Sequence, residues 1–174
     1  DNQSFLLKGA IRMPTSKSDW FESLLFTINN KDFLSASLSN KTKVFKIDTD
    51  KKILKLSYPK NLNFDVDQSK LTDIRETING FYFYDVRKSK TKNLVNLPKL
   101  TFETKSGLVL SLSSVTKNTK GESWIKISTI GKKPAAKKIA EEITNKTKGF
   151  EFLANVNTSD ILRWNLKNLA AKNK

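Results

Sequence analysis

Ser114-Val115-Thr116-Lys117 has the S-x-x-K spacing in which a lysine one helical turn after a serine activates it as a nucleophile. That geometry needs a helix. This stretch instead ends a run of alternating apolar residues, which predicts a strand and places no serine–lysine catalysis there. Ser89-Lys90-Thr91-Lys92 repeats the spacing, as a lysine-rich chain does by accident. Asp48-x-Asp50 and Asp65-x-Asp67 open like calcium loops. Neither continues to the glycine and distal glutamate that complete such a site, so turn and helix-cap duty accounts for both. Gly131-Lys132-Lys133 lacks the upstream glycine of a phosphate loop. The chain has neither histidine nor cysteine. Their absence removes the commonest general base, the thiol nucleophile and the standard zinc ligands. No catalytic residue, metal site or cofactor is expected.

One charge pattern points to binding. Lys132, Lys133, Lys137 and Lys138 gather where a helix is predicted to begin, and the macrodipole disfavours cations there. A phosphate or carboxylate bound at that helix end would relieve the repulsion. Glu141 and Glu142, four residues beyond Lys137 and Lys138, offer partial neutralisation without any ligand. The net charge of +15 ordinarily suggests nucleic acid or an anionic membrane. Only Arg12, Arg75, Arg87 and Arg163 are arginine, however, and lysine is a point charge without the fork that reads bases. Asparagine is abundant too, as at Asn29-Asn30, Asn155, Asn157, Asn165 and Asn168. Lysine and asparagine rising together follow the codon usage of an AT-rich genome and place the charge on solvated surface. Nucleic acid is therefore not the expected partner, and a polyanion-binding role through surface lysines stands as the alternative. Trp20, Trp124 and Trp164 are candidate stacking platforms whose positions predict core or edge packing.

The elements that must position these residues alternate along the chain. Residues 5–11 read as a strand, and a helix capped by Asp19 follows, with Phe21, Leu24, Leu25 and Ile28 at helical spacing. Strands are predicted over 33–38, 44–47 and 53–57, the last two joined by a turn at 48–51. Asp67 or Ser69 caps a helix carrying Leu71, Ile74 and Ile78, with Asn79-Gly80 as a left-handed stop. Residues 81–86 have aromatics on both faces, which predicts a central strand buried on two sides. A polar loop over 88–99 leads to a meander of strands at 100–104, 108–115 and 123–129, turning at Ser106-Gly107 and Lys120-Gly121. A third helix runs from Pro134 to Gly149 with Ala136, Ile139, Ala140 and Ile143 as its buried stripe. A strand at 150–154 precedes a last helix capped near Asn157 or Thr158 and carrying Ile161, Leu162, Leu166 and Leu169.

The expected fold is α+β: mostly antiparallel sheet with about four helices, in 174 residues forming one domain. Residues 5–7 with 18–21 echo residues 150–153 with 159–162, each a strand leading into a capped helix. Two related strand/helix half-units, 1–80 and 81–174, explain the echo, as does the commonness of that motif. No apolar run reaches the roughly 18 residues that span a bilayer; the run at 21–28 is broken by Glu22, Ser23 and Thr27. Asp1 in the first position reads as the start of a fragment whose signal peptide or anchor lies upstream.

Laid in order, the motifs resemble the bacterial envelope family catalogued as domain of unknown function 4340. They are Phe5-Leu6-Leu7-Lys8-Gly9, residues 18–25, Phe83-Tyr84-Asp85-Val86, residues 100–108, Trp124-Ile125-Lys126-Ile127, and Gly149-Phe150-Glu151-Phe152 with residues 161–169. The resemblance spans nearly the whole chain and rests on the order of the motifs, each being core residues and turns. It implies a non-enzymatic α+β domain on the periplasmic side of the bacterial inner membrane, tethered by an N-terminal helix this sequence lacks. It also implies a role as accessory or binding module beside an ABC-type transporter of the gliding-motility kind. The family has no established catalytic residues to carry over.

Overall fold

Alternation at a period of two decides the architecture. Leu108, Leu110 and Leu112 take every second place, with Ser111 and Ser113 following in between. An extended chain sends successive side chains to opposite faces, so such a strand has one apolar side and one hydroxyl side. The computed structural model describes residues 24–50, 53–91, 94–117 and 119–171. Its strands are β1 (Leu24–Phe26), β2 (Phe33–Asn40), β3 (Thr42–Asp50), β4 (Ile53–Tyr58), β5 (Phe81–Lys88), β6 (Lys99–Thr104), β7 (Leu108–Lys117), β8 (Ser123–Gly131) and β9 (Phe150–Ala154). They form one nine-stranded sheet in the order β1-β5-β9-β8-β7-β6-β2-β3-β4. Every pairing is antiparallel.

Register carries the alternation across the sheet. Leu38 faces Leu100, Leu100 faces Leu112 and Leu112 faces Ile127; beside them Ala36, Phe102, Leu110 and Thr129 make a second row. These rows are the apolar face, and the helices cover it. Helix α1 (Gln68–Asn79) buries Leu71, Ile74 and Ile78 completely. Helix α2 (Pro134–Thr147) lies on β8, where Thr129 Oγ1 donates to the Ala140 carbonyl at 2.8 Å. The short α3 (Val156–Ile161) is held by Ser159 Oγ, which accepts the Ser123 N–H at 2.9 Å. One core results, with Phe26 stacked on Phe81 at 5.4 Å and Phe83 edge-on to Phe152 at 5.0 Å.

Several expectations hold, the strands with bounds shifted by a few residues: the strands from 33 onward, the meander with turns at Gly107 and Gly121, the Asp67 cap on α1, and Pro134 opening α2. Others need correction. The fold has three α-helices among the described residues, not four. The expected last helix stops at Ile161, because Asn165 accepts the Lys167 N–H while Asn168 accepts the Asn165 N–H. That reciprocal cap starts a separate 3-10 turn at Leu166–Leu169 instead of continuing the helix. The C-terminal end of the helix expected around 19–28 is β1, whose pairing with β5 and Phe26–Phe81 stacking override helical spacing. Residues 5–11 and 18–23, and with them the first half of the internal echo, lie outside the described residues.

Gly80 is extended at φ −167°, so it runs α1 straight into β5 and is no left-handed stop. β5 is buried on one side only: Phe81 and Phe83 face the core, while Tyr82 and Tyr84 are half exposed. Ile139 is exposed and Thr147 takes its place, giving the stripe Ala136, Ala140, Ile143, Thr147. Asp48 and Asp50 sit within β3 rather than in a turn, each paired to a lysine: Lys46 and Lys55.

Gly131 sets how closely α2 approaches the sheet. A Cβ there would meet the Lys137 backbone at 2.4 Å, whereas one at Gly149 (φ +86°) meets nothing within 4 Å. Gly131→Ala should therefore cost about 2–3 kcal/mol in urea denaturation through overpacking. Gly149→Ala should cost only about 1 kcal/mol, from its left-handed backbone. Equal losses would show that α2 is not seated on β8 as described.

Candidate functional site

The face of the sheet opposite the helices carries no helix among the described residues. Register arranges its side chains in three cross-strand rows. The middle row is Lys46, Ser37, Thr101, Ser111 and Ser128. With strands about 4.8 Å apart it spans roughly 19 Å. Thr101 Oγ1 and Ser111 Oγ are 3.0 Å apart within it. One neighbouring row is Asp48, Ser35, Glu103, Val109 and Ile130. The other is Ser39, Lys99, Ser113 and Lys126. The rows thus hold three cations against two carboxylates, and Lys46 meets Asp48 at 2.8 Å. This flat, hydroxyl-rich face is close to neutral in a chain of net charge +15.

One end of the face is built around Glu151, whose side chain has no solvent exposure. Arg87 Nε donates to Glu151 Oε2 at 2.8 Å, and Arg87 Nη2 lies 2.7 Å from the same oxygen. Arg87 Nη2 also donates to Thr116 Oγ1, and the guanidinium stacks 4.1 Å from the Trp124 ring centre. The other carboxylate oxygen accepts from Ser89 Oγ and from the backbone N–H groups of Lys90 and Thr91, all within 3.1 Å. Lys126 Nζ donates to the Thr91 carbonyl at 2.9 Å. The chain leaving β5 is thereby strapped onto the sheet. Burial pushes the Glu151 pKa up, but the Arg87 side chain and the Thr91 and Ser89 donors outweigh it and hold it at about 2. The carboxylate is a fixed structural anion, not a proton carrier.

All four lysines singled out by the sequence are exposed, and two of them make polar contacts. Lys132 Nζ pairs with Glu103 Oε1 at 2.5 Å, and Lys133 Nζ donates to the Lys105 carbonyl at 2.8 Å. Lys137 and Lys138 stand exposed on α2, whose N-cap residue Lys133 makes no side-chain cap. Ser114 and Lys117 lie on extended β7, roughly 10 Å apart along the strand, far from the contact S-x-x-K chemistry needs. Trp164 packs against the core beneath Lys70, and Trp20 lies outside the described residues. Among the described residues no cluster of three or more potential metal ligands occurs, and no helix is long and apolar enough to cross a membrane.

Sequence reasoning missed the Arg87–Glu151–Trp124 group. Two signals were present: an arginine where this chain's default cation is lysine, and a glutamate inside the apolar strand 150–154.

Glu151 has a folded pKa of about 2 against an ordinary value of 4.5, so its stabilisation is complete above pH 4.5 and is lost as pH falls toward 2. The shift corresponds to stability on the order of 3 kcal/mol. Glu151→Gln, which leaves Arg87 without its counter-charge, should lose about 2–3 kcal/mol at pH 7. The gap to the unaltered protein should close between pH 4.5 and 2 in urea melts. A pH-independent gap would show that the carboxylate's charge does not hold the strap.

Comparison with protein-family models, with curated proteins and with solved structures finds no match for this chain in any of the three.

Proposed function

We propose that this chain is a non-catalytic binding module of the bacterial cell envelope, working on the periplasmic side of the inner membrane. Its partner is another envelope polypeptide, of the ABC-type transporter class that the resemblance implies, and it docks on the open face of the sheet. The observation that carries this reading is the one-sided sheet. α2 and the apolar rows share one face, while the other presents a row of four hydroxyls, Ser37 to Ser128, about 14 Å long. Antiparallel sheets often leave one face to water, so openness alone does not make an interface. Charge is the discriminating feature. Interfaces are depleted in charge at their centre, and here Lys46–Asp48 and Lys132–Glu103 neutralise each other around Ser37, Thr101 and Ser111.

The same neutrality argues against the polyanion alternative on this face, since a phosphate backbone gains most from unpaired cations. Against catalysis stands the lack of any base beside the hydroxyls. The chain has no histidine, Glu103 is held by Lys132, and Asp48 is held by Lys46.

Photo-reactive residues placed at Ser37, Ser111 or Ser128 should cross-link one discrete membrane-protein partner in the bacterium that makes this protein. The same residue at Lys138 or Glu142 on α2 should not. In vitro, a duplex oligonucleotide should bind no more tightly than the roughly 10⁻⁴–10⁻⁶ M of non-specific contact at physiological salt. Tight DNA binding lost steeply between about 50 and 200 mM salt, without open-face cross-links, would overturn the proposal in favour of the polyanion reading.

A further inference from the structure

On the helix-bearing side of the sheet, separate from the open face, the strand ends and α1 enclose a cleft of about 580 Å³. It is lined by Asn30, Lys31, Phe33, Thr49, Arg75 and Lys105. That volume falls in the range of small-molecule sites, about 300–1,000 Å³. Three remote segments bring the cations together. Lys31 lies in the 3-10 turn Asn30–Asp32 ahead of β2, Arg75 on α1, and Lys105 in the turn between β6 and β7. The turns are locked to each other: the Lys105 N–H donates to the Asp32 carbonyl at 2.8 Å, and the Ser106 N–H donates to Asp32 Oδ1 at 3.0 Å.

Three cations converge on this cleft from separate segments. Elsewhere Lys46, Lys55, Lys70 and Lys132 each have a carboxylate partner. Here the neighbouring acid, Glu76, takes two hydrogen bonds from Asn30 Nδ2 (2.8 and 2.7 Å) and one from Arg75 Nη2 (3.0 Å). It balances one charge of the three, and Asp32, which accepts from Ser106 beside Lys31, balances a second. Lys105 Nζ donates to the Lys31 carbonyl at 2.7 Å, leaving two of its three donors for other acceptors. Arg75 Nε and Asn30 Oδ1 are buried without a hydrogen-bond partner. An unpaired buried polar group is costly, and a ligand with a matching acceptor and donor removes that cost once the side chains turn to meet it. Arginine in place of this chain's usual lysine fits planar carboxylate or phosphate recognition.

We propose that this cleft binds a small organic anion: a carboxylate or phosphate group held by Arg75, Lys105 and Lys31, with a short apolar body against Phe33. Thr49 and Asn30 are positioned to take a hydroxyl or amino group on that body. The same head group occurs on free metabolites and on anionic lipids, so the test carries an arm for each source.

Phenyl phosphate, benzoate, inorganic phosphate and neutral benzamide are titrated into the whole chain by calorimetry and by backbone amide NMR. Vesicles of phosphatidylglycerol and of phosphatidylcholine form a second series. Saturable binding of phenyl phosphate or benzoate, with shifts at Lys31, Phe33, Arg75 and Lys105 and none from benzamide, is the expected result. Arg75→Gln and Lys105→Gln should each weaken it at least tenfold, and Thr49→Tyr, which fills the cleft, should abolish it. Lys148→Gln, at the exposed end of α2, should leave it unchanged. Circular dichroism checks that each variant is folded; should Arg75→Gln fail, Lys105→Gln and Thr49→Tyr carry the test. Binding of soluble anions marks a metabolite site. Binding only of phosphatidylglycerol vesicles, with the same loss in the variants, marks a lipid head group. Absence of saturable binding in both series, or binding that Lys148→Gln reduces as much as Lys105→Gln, would overturn the proposal.

Discussion

A slip of one residue between β7 and its neighbours would put Ser111 and Ser113 under α2 and turn Leu110 and Leu112 out to water. Fully burying each leucine is worth about 1.5–3 kcal/mol, so a slip forfeits a large share of a domain's stability. The structure guards this register with turn chemistry. Gly107, at φ +92°, closes β6 to β7, its N–H donating to the Thr104 carbonyl and its carbonyl accepting the Lys132 N–H. Asp32 grips the same turn from the other side through Ser106. Once β6, β7 and β8 are in register, α2 has a face to cover, and the hydroxyl rows on the other side follow without further instruction. The open face is thus a by-product of core formation, and its hydroxyl content is where function can be written at little cost to the fold.

Elements whose packing pattern is local were legible in the sequence. Leu71, Ile74 and Ile78 predict α1 and are all fully buried, and the meander falls where its turns place it. Where the reading failed, a distant partner decided the outcome. The spacing of Leu24, Leu25 and Ile28 is helical, yet β5 lies beside Leu24 and Phe26 and captures them as an edge strand. No local signal could announce a partner some 55 residues away. Ile161, Leu162, Leu166 and Leu169 also have helical spacing, and there Asn165 and Asn168 form a cap that ends one turn and begins another. Asparagine competes with the helix backbone for hydrogen bonds, a signal present in the chain and outvoted by the leucines.

The candidate sites were less legible than the fold because both are assembled across strands. Glu151 meets Arg87 from another strand and Ser89 to Thr91 from the loop beyond it, a carboxylate saturated by groups about 60 positions away. In the linear sequence it is one glutamate in an apolar strand. Lys31, Arg75 and Lys105 are three cations among 32, indistinguishable in composition from the rest. Topology makes them a group, because β2 starts, α1 passes and β6 ends at one corner of the sheet. The lysines at 132, 133, 137 and 138, grouped in sequence, are all exposed, with Lys132 turned to Glu103 and Lys133 to the Lys105 carbonyl.

Two electrostatic regimes follow from one lysine-rich composition. Most of the described lysines stand on the surface, where salt screens charges beyond about 8 Å at physiological ionic strength and solvation leaves them nearly indifferent to one another. A net charge of +15 is tolerable on those terms, and it keeps copies apart without specifying a partner. In the cleft at α1, Lys31, Arg75 and Lys105 stand together around buried Phe33, and Glu76 and Asp32 balance only part of their charge. The same residue types that are a passive coat elsewhere become a focused positive potential there. On the open face, Lys46 pairs with Asp48 and Lys132 with Glu103, so much of the potential cancels. Selectivity in this protein is therefore a matter of where its few carboxylates were placed, since they decide which lysines are neutralised and which remain to attract an anion.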